Sequence, residues 1–404
     1  MVAEFSALGQ IVTALTGLNG LPAIIVEAFV TTAYTSLGGF KVSFLTDNIQ
    51  GAMVVGLIII GVVTVGVETK IDTSLIETSG YLEASLLGWQ LIYILPVAIL
   101  TNDFFISGFW MRTFAAKTDK DLWVGVSIAT IAVAIILTLV GVSGLIAGWS
   151  GVLGNPPEQS SIALFLLLEQ LPAWVVGIVL VMTVALSTAA FDSFQSAMVS
   201  TGSNDIFRNK LNLWCIRLAV VIIIFPVVVV AIKTPSVLQI YLISDLLSAS
   251  VIPVLVIGLS EKCYAWRGFE VVVGGLGGLL TVFLFGLVYY EGDAQMAGNL
   301  LLLEQGLYGN DWSAFGAFVA APFGGLLWGA AAFVCRIAVQ FAIAKVKRTK
   351  FTALDRPAAP TAAFYTGGGG YEHGRDHSGE HGRNVGMDRD GVERSVVAVK
   401  GHFF

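Results

Sequence analysis

The hydrophobic residues of this chain fall in blocks of about 20, and this spacing limits the possible folds more than any other feature. A helix of about 20 residues, rising about 1.5 Å per residue, crosses roughly 30 Å of hydrocarbon. Only helices and closed barrels satisfy the backbone in lipid, and continuous apolar runs favour helices. We therefore predict an all-α polytopic membrane protein. About ten transmembrane helices are expected, at 1–17, 21–38, 46–67, 87–110, 122–148, 172–202, 212–232, 236–258, 268–289 and 312–344.

The composition excludes most other classes of protein. Hydrophobic residues make up 56% of the chain and charged residues only 12%, whereas a soluble domain has about a quarter charged residues. The net charge is −6 and no basic stripe is present, so no nucleic-acid partner is expected. The histidines all follow residue 370, which argues against an enzyme with a histidine-dependent site in the membrane. The three cysteines predict free, buried thiols.

The charges between the predicted helices indicate which side of the membrane they face. Loops rich in lysine and arginine alternate with loops that carry mostly acids, and basic loops stay cytoplasmic. This pattern predicts a transmembrane transporter domain over 1–350, followed by a cytoplasmic tail. The tail, 351–404, is rich in glycine, histidine and charge, so we predict that it is disordered. The plasma membrane is the expected location.

The fourth predicted helix carries a polar run at bilayer depth. Thr101, Asn102 and Asp103 follow Pro96, and a buried ionisable group in a membrane helix is a functional candidate. Proline removes a helical hydrogen bond, so the segment is typical of the broken, cavity-lining helix of a transporter. The alternative is a proline kink whose polar groups are satisfied by neighbouring helices.

The sixth predicted helix carries a stripe of oxygen-bearing side chains at helical spacing. Hydroxyls and a carboxylate are suitable ligands for sodium, a hard cation. Small hydroxyl residues also mediate tight helix packing, but packing needs no carboxylate, so Asp192 favours cation binding. Asp47 opens the third predicted helix, where it could also act as a helix cap. Arg336 is expected to reach the cytosolic surface and to have no special role. The stripe consists of Thr183, Ser187, Thr188, Asp192, Ser193 and Ser196.

Three segments resemble motifs of the sodium:solute symporter family. They are YTSLGGFKVSFLTDNIQG (34–51), RTFAAKTDKD (112–121) and ALSTAAFDSFQSAMVSTGSNDIF (185–207). They occur in the family's order, and the resemblance extends from residue 1 to about residue 345. Within the family, the chain is most similar to the fungal urea/polyamine permease branch.

The resemblance implies a LeuT-type inverted-repeat bundle, of which this chain would be a part. Ser187 and Thr188 would supply the hydroxyl ligands of sodium, with Ser193 as an alternative. Asp47 would lie at the cytosolic exit path of the ion, and the run 101–103 would lie at the substrate and its inner gate. The family's first two core helices have no counterpart before residue 1, so we expect an N-terminally truncated gene product or isoform.

The expected function is secondary active transport. We predict symport of a small polar solute such as urea, coupled to sodium or protons, with no cofactor besides the coupling ion. The expected partners are the solute and the lipid bilayer; the substrate, the coupling ion and the oligomeric state stay open. The alternative is a truncated, non-transporting or regulatory membrane remnant of a symporter.

Overall fold

A computed structural model describes residues 1–153, 160–233 and 237–356, with the backbone alone between 37 and 45. All regular elements in these ranges are helical, which confirms the prediction of an all-α polytopic membrane protein. The predicted tail lies outside the described residues from 357 onward. The α-helices are α1 (Val2–Thr16), α2 (Leu21–Glu68), α3 (Thr73–Thr78), α4 (Leu86–Phe105), α5 (Ser107–Ala115), α6 (Asp119–Trp149), α7 (Ala163–Glu169), α8 (Ala173–Thr201), α9 (Leu213–Lys233), α10 (Val237–Leu259), α11 (Gly268–Tyr289), α12 (Ala294–Leu301) and α13 (Ser313–Lys347).

The ten predicted transmembrane segments all fold as helix. In the described part of the chain, eight helical segments are long and apolar enough to cross a membrane. The first two predicted segments correspond to shorter apolar helices, Val2–Thr16 and Leu21–Ser36. The arrangement of these helices as an inverted repeat remains a prediction.

Helix α2 is continuous from Leu21 to Glu68, although the sequence predicts a break near Gly38–Gly39. The hydroxyls of Tyr34 and Thr46 both donate to Oδ2 of Asp192, at 2.7 and 3.1 Å. Twelve residues of straight helix cover about 18 Å. If the fully extended side chains of Tyr34 and Thr46 both hydrogen-bond to one oxygen atom, their Cα atoms can be at most roughly 15 Å apart. The helix must therefore bend between these residues.

The order in which α2 contacts α8 reverses from the first part of the bent helix to the second. In the first part, residues 27 and 34 contact α8 at residues 187 and 192, so the chains run parallel. In the second part, residues 46 and 56 contact residues 192 and 182, so the chains run antiparallel. The structure thus retains two separate apolar segments, as predicted, without interrupting the helix.

The fourth predicted helix is broken, as the sequence predicts. Helix α4 ends at Phe105, Ile106 is extended with ψ 110°, and α5 begins at Ser107. Pro96 lies inside α4 and does not mark the break. The break instead follows the polar run, whose last residue is two positions before the end of α4.

Helix α1 lies between two groups of helices. It contacts α2, α8 and α9 on one side and α10 on the other. Helix α10 in turn packs against α4, α11 and α13. Most large side chains of α6 are exposed, as expected for a helix that faces lipid. Helices α8 and α10 therefore both contact α1, and α10 also contacts α4.

Three local expectations are wrong. Arg336 does not extend to the surface: its guanidinium forms an ion pair with the fully buried Glu270 and donates to the carbonyl of Ala265 at 2.6 Å. Asp47 cannot cap a helix, because α2 continues through it. The cysteines are free but exposed, since they lie on outward-facing positions of their helices or in the short segment after α10: Cys215, Cys263 and Cys335.

Candidate functional site

The first polar cluster lies where α4 meets α10. The hydroxyls of Ser244 and Ser248 donate to Oδ1 of Asn102, at 3.1 and 3.4 Å. Thr101 donates to the carbonyl of Val97 on its own helix at 2.7 Å. Of the three predicted substrate residues, Asn102 is thus held by the neighbouring helix, while the hydroxyl hydrogen of Thr101 is used within α4.

Carboxylates surround this cluster. Asp103 is exposed and lies close enough to Asp245 of α10 for their charges to repel. One helical turn before Asp245, the hydroxyl of Tyr241 donates to Oε1 of Glu4 at 2.8 Å. Among the described residues, no lysine, arginine or histidine forms an ion pair with Glu4, Asp103 or Asp245. We call Glu4, Asp103, Asn102, Tyr241 and Asp245 the acidic cluster.

The second polar cluster lies between the first part of α2 and α8. Ser187 is buried, and the Thr188 hydroxyl donates to the carbonyl of Val184 at 2.8 Å. The carboxylate of Glu27 lies beside both hydroxyls, outside hydrogen-bond geometry. We call Glu27, Ser187 and Thr188 the Glu27 cluster. Its three oxygen-bearing side chains fit a bound cation.

More buried oxygens without a hydrogen-bond partner continue along the same interface. In a folded protein, such atoms are few and call for an explanation. Here Thr31 and Thr35 follow Glu27 at intervals of four residues on α2, and Thr183 precedes Ser187 by four residues on α8. In the described residues these are the hydroxyls of Thr31, Thr35, Thr183 and Ser196.

Asp192 and Ser193 lie further along α8 from the Glu27 cluster. Asp192 is fully buried and accepts from Tyr34 and Thr46, so it ties the two parts of α2 together. Ser193 donates to Oδ1 of Asp192 at 3.4 Å. Asp47 adjoins Thr46 on α2 and is half-buried. The predicted cation ligands therefore form two groups along one interface, and their role in cation binding remains a prediction.

Glu4 and Glu27 are not among the site residues predicted from the sequence. The signal was present, because both are carboxylates inside apolar stretches, where an ionisable group is costly. What the sequence could not show is that they lie near each other. The charge of Glu4 acts on Glu27, and Glu4 also accepts from Tyr241, so α1 connects the two clusters.

An open cavity of about 320 Å³ lies between α4, α10 and α13. Prolines from three helices, Pro96, Pro253 and Pro322, line it together with apolar side chains. Of the three predicted substrate residues, only Thr101 is among the described residues that line this cavity. Asn102 and Asp103 therefore belong to the face of α4 that meets α10.

Comparison with known proteins places the chain among membrane transporters. No protein-family model matches it. The spermidine transporter DUR31 of Candida albicans is 53% identical over 360 residues, which cover 88% of this chain and 69% of that protein. The chain belongs to the family of this transporter. It is therefore a multi-pass membrane transporter that handles a small solute, whereas membership of the sodium:solute symporter family remains a prediction.

Proposed function

We propose that this protein carries polyamines, with spermidine as the representative substrate, across the membrane. The observation that carries the proposal is the acidic cluster, whose three carboxylates form no ion pair with a lysine, arginine or histidine among the described residues. The Candida albicans relative is named as a spermidine transporter, and spermidine is a linear molecule with several ammonium groups. The substrate would supply the positive charges that these carboxylates lack.

The chemistry of the cluster favours a polycation over the urea suggested by the sequence. Charges held close together at low dielectric repel one another, so uncompensated carboxylates are costly. Urea is neutral and leaves this cost in place, whereas ammonium groups offset it. Asp245 and Asp103 would bind one amine, and Glu4 together with the ring of Tyr241 would bind another. The hydroxyls of Ser244 and Ser248, which donate to Asn102, would hold the break after α4 in position.

We further propose that transport is coupled to a cation bound between α2 and α8. Ser187 and Thr188 are the primary ligands in this proposal, and Asp192, Ser193 and Asp47 lie along the path of the ion. Oxygen ligands without hydrogen-bond partners support a cation at this interface. The loop charges support a cytoplasmic C-terminus. In this proposal the protein lies in the plasma membrane and takes up its substrate from outside the cell.

Uptake of labelled spermidine by the full chain in proteoliposomes tests the proposed substrate. Asp245→Asn and Asp103→Asn should each lower kcat/KM about tenfold, which corresponds to ~1.4 kcal/mol. Glu77→Gln is the matched control, because Glu77 is an exposed acid on the short helix α3. Uptake of urea without competition by spermidine would contradict the proposal, as would an equal loss in the control.

The sodium dependence of the same uptake tests the coupling site. Ser187→Ala combined with Thr188→Ala should weaken the dependence of uptake on the coupling cation, whether sodium or the proton. Unchanged dependence would remove these two residues from the ion site. An absence of any uptake by the wild-type chain would favour the alternative of a non-transporting remnant.

A further inference from the structure

The carboxylate of Glu27 is buried to an unusual degree for a group without a partner. Only 5% of the residue is exposed, and neither carboxylate oxygen accepts a hydrogen bond in the described structure. The residues around it form an apolar cluster of Phe5, Ile24, Ala28, Phe191, Ile224 and Ala231. An isolated ionised carboxylate in such surroundings is strongly disfavoured, because burial penalises the charged form.

One of the two hydroxyls beside Glu27, that of Thr188, strengthens this conclusion, whereas the hydroxyl of Ser187 forms no hydrogen bond in the described structure. Thr188 has given its hydrogen to the carbonyl of Val184, so its oxygen can only accept from Glu27. An ionised carboxylate is also only an acceptor. Two acceptors that face each other repel unless a proton or a metal cation lies between them. A proton needs one such acceptor, whereas a metal ion needs several ligands in a shell.

The charged groups near Glu27 do not supply the missing compensation. From α1, Glu4 adds a second negative charge, and the amino group of Met1, which interacts with Glu4, forms no ion pair with Glu27 in the described structure. From α8, the next ionisable group is Asp192, which is already held by Tyr34 and Thr46. Helix α9 presents apolar side chains to this cluster. The local balance of charge is therefore negative.

We propose that Glu27 is a proton-binding site. The carboxylate takes up one proton and becomes a neutral acid, which donates its hydrogen to Oγ1 of Thr188. The partnerless hydroxyls of Thr31 and Thr35, which follow Glu27 at successive turns of α2, provide a polar route along the interface. This proposal adds to the proposed cation coupling a specific ion, the proton, and a specific residue, Glu27. Only the role of the proton in transport rests on the proposed function; proton binding itself does not.

Infrared spectroscopy of the purified full chain in lipid nanodiscs, without substrate, tests proton binding directly. A protonated carboxylic acid has a C=O stretching band that an ionised carboxylate lacks. The wild type and the control Glu77→Gln should show this band, and its intensity should fall as the pH is raised. Glu27→Gln should lose the band, equivalent to one proton per molecule, and Glu27→Asp should retain it at a shifted frequency.

The outcomes separate this proposal from the proposed substrate. A band that is unchanged in Glu27→Gln would overturn proton binding at Glu27, even if spermidine uptake is normal. A wild type without the band, whose carboxylate absorption changes on addition of sodium chloride, would assign the cluster to sodium instead. If the Gln variant does not fold, the frequency shift in Glu27→Asp decides, because only the protonated residue 27 can produce it.

Discussion

Tyr241 of α10 donates its hydroxyl hydrogen to Oε1 of Glu4 on α1 across 2.8 Å. Glu4 also lies near enough to Glu27 for their charges to interact. A single carboxylate on α1 therefore connects the acidic cluster proposed for the substrate with the cluster proposed for the coupling ion. This connection gives the substrate and the ion a direct physical means to influence each other.

Removal of that hydroxyl should affect substrate binding more than turnover. Tyr241→Phe deletes a hydrogen bond to a charged group, which contributes about 1.5–3 kcal/mol when buried and less here, since Tyr241 is 39% exposed. We expect KM for spermidine to rise a few-fold while kcat changes little. Tyr308→Phe is the matched control, because Tyr308 is exposed and its hydroxyl forms no hydrogen bond in the described structure. A change in kcat alone would contradict a role in binding.

Chemical cross-linking can test the reversal of α2 along α8. In a background without the native cysteines, cysteines at 32 and 195 and, separately, at 56 and 182 should be joined by a short bifunctional thiol reagent. The first pair replaces a hydrogen bond of 2.8 Å between Thr32 and Gln195, and the second replaces a contact between Gly56 and Met182.

A straight α2 would not allow both cross-links. With Gly56 against Met182, a straight antiparallel helix would place Thr32 about 16 Å beyond Gln195. The control pair, cysteines at 56 and 195, should not react. Cross-linking of only one of the two test pairs would contradict the reversal.

The ion pair of Glu270 and Arg336 should matter chiefly for stability. Arg336→Met leaves a fully buried carboxylate without its cation, which costs about 3–5 kcal/mol. Adding Glu270→Leu removes the orphan charge and should restore much of the lost stability. Thermal unfolding of the detergent-solubilised protein measures both effects, with the exposed Lys347→Met as the control. A double variant no more stable than the single one would show that the pair does not act as a unit.

Close packing of α11 against its neighbours depends on glycine. A Cβ at residue 274 would lie 2.9 Å from the carbonyl oxygen of Gly325 on α13 and 2.8 Å from a methyl of Val254 on α10. Gly274→Ala should therefore lower stability by about 1–3 kcal/mol through overpacking. Gly125→Ala on α6 is the control, since a Cβ there has no neighbour within 4 Å. Equal unfolding temperatures of the two variants would contradict tight packing at Gly274.

The predicted substrate residues show which features of the site a sequence pattern can indicate and which it cannot. Pro96 and the polar run after it indicate a broken helix, and the structure has a break after α4. This feature could be predicted because its signal lies within one short segment of the sequence. The partners of Asn102 could not be predicted: Ser244 and Ser248 are about 140 residues away in sequence. Nothing local specifies that α10 packs against α4.

The sequence by itself determined that this chain is a bundle of membrane helices, because the length of an apolar block and the need to satisfy the backbone in lipid act locally. It also indicated the oxygen-rich face of α8, because helical periodicity places those residues together. Only the tertiary structure decided that Glu27 faces Thr188, that Glu4 meets Tyr241 and that Arg336 pairs with Glu270. Each of these depends on which helix packs beside which, and that choice is made by side-chain fit between segments far apart in the chain.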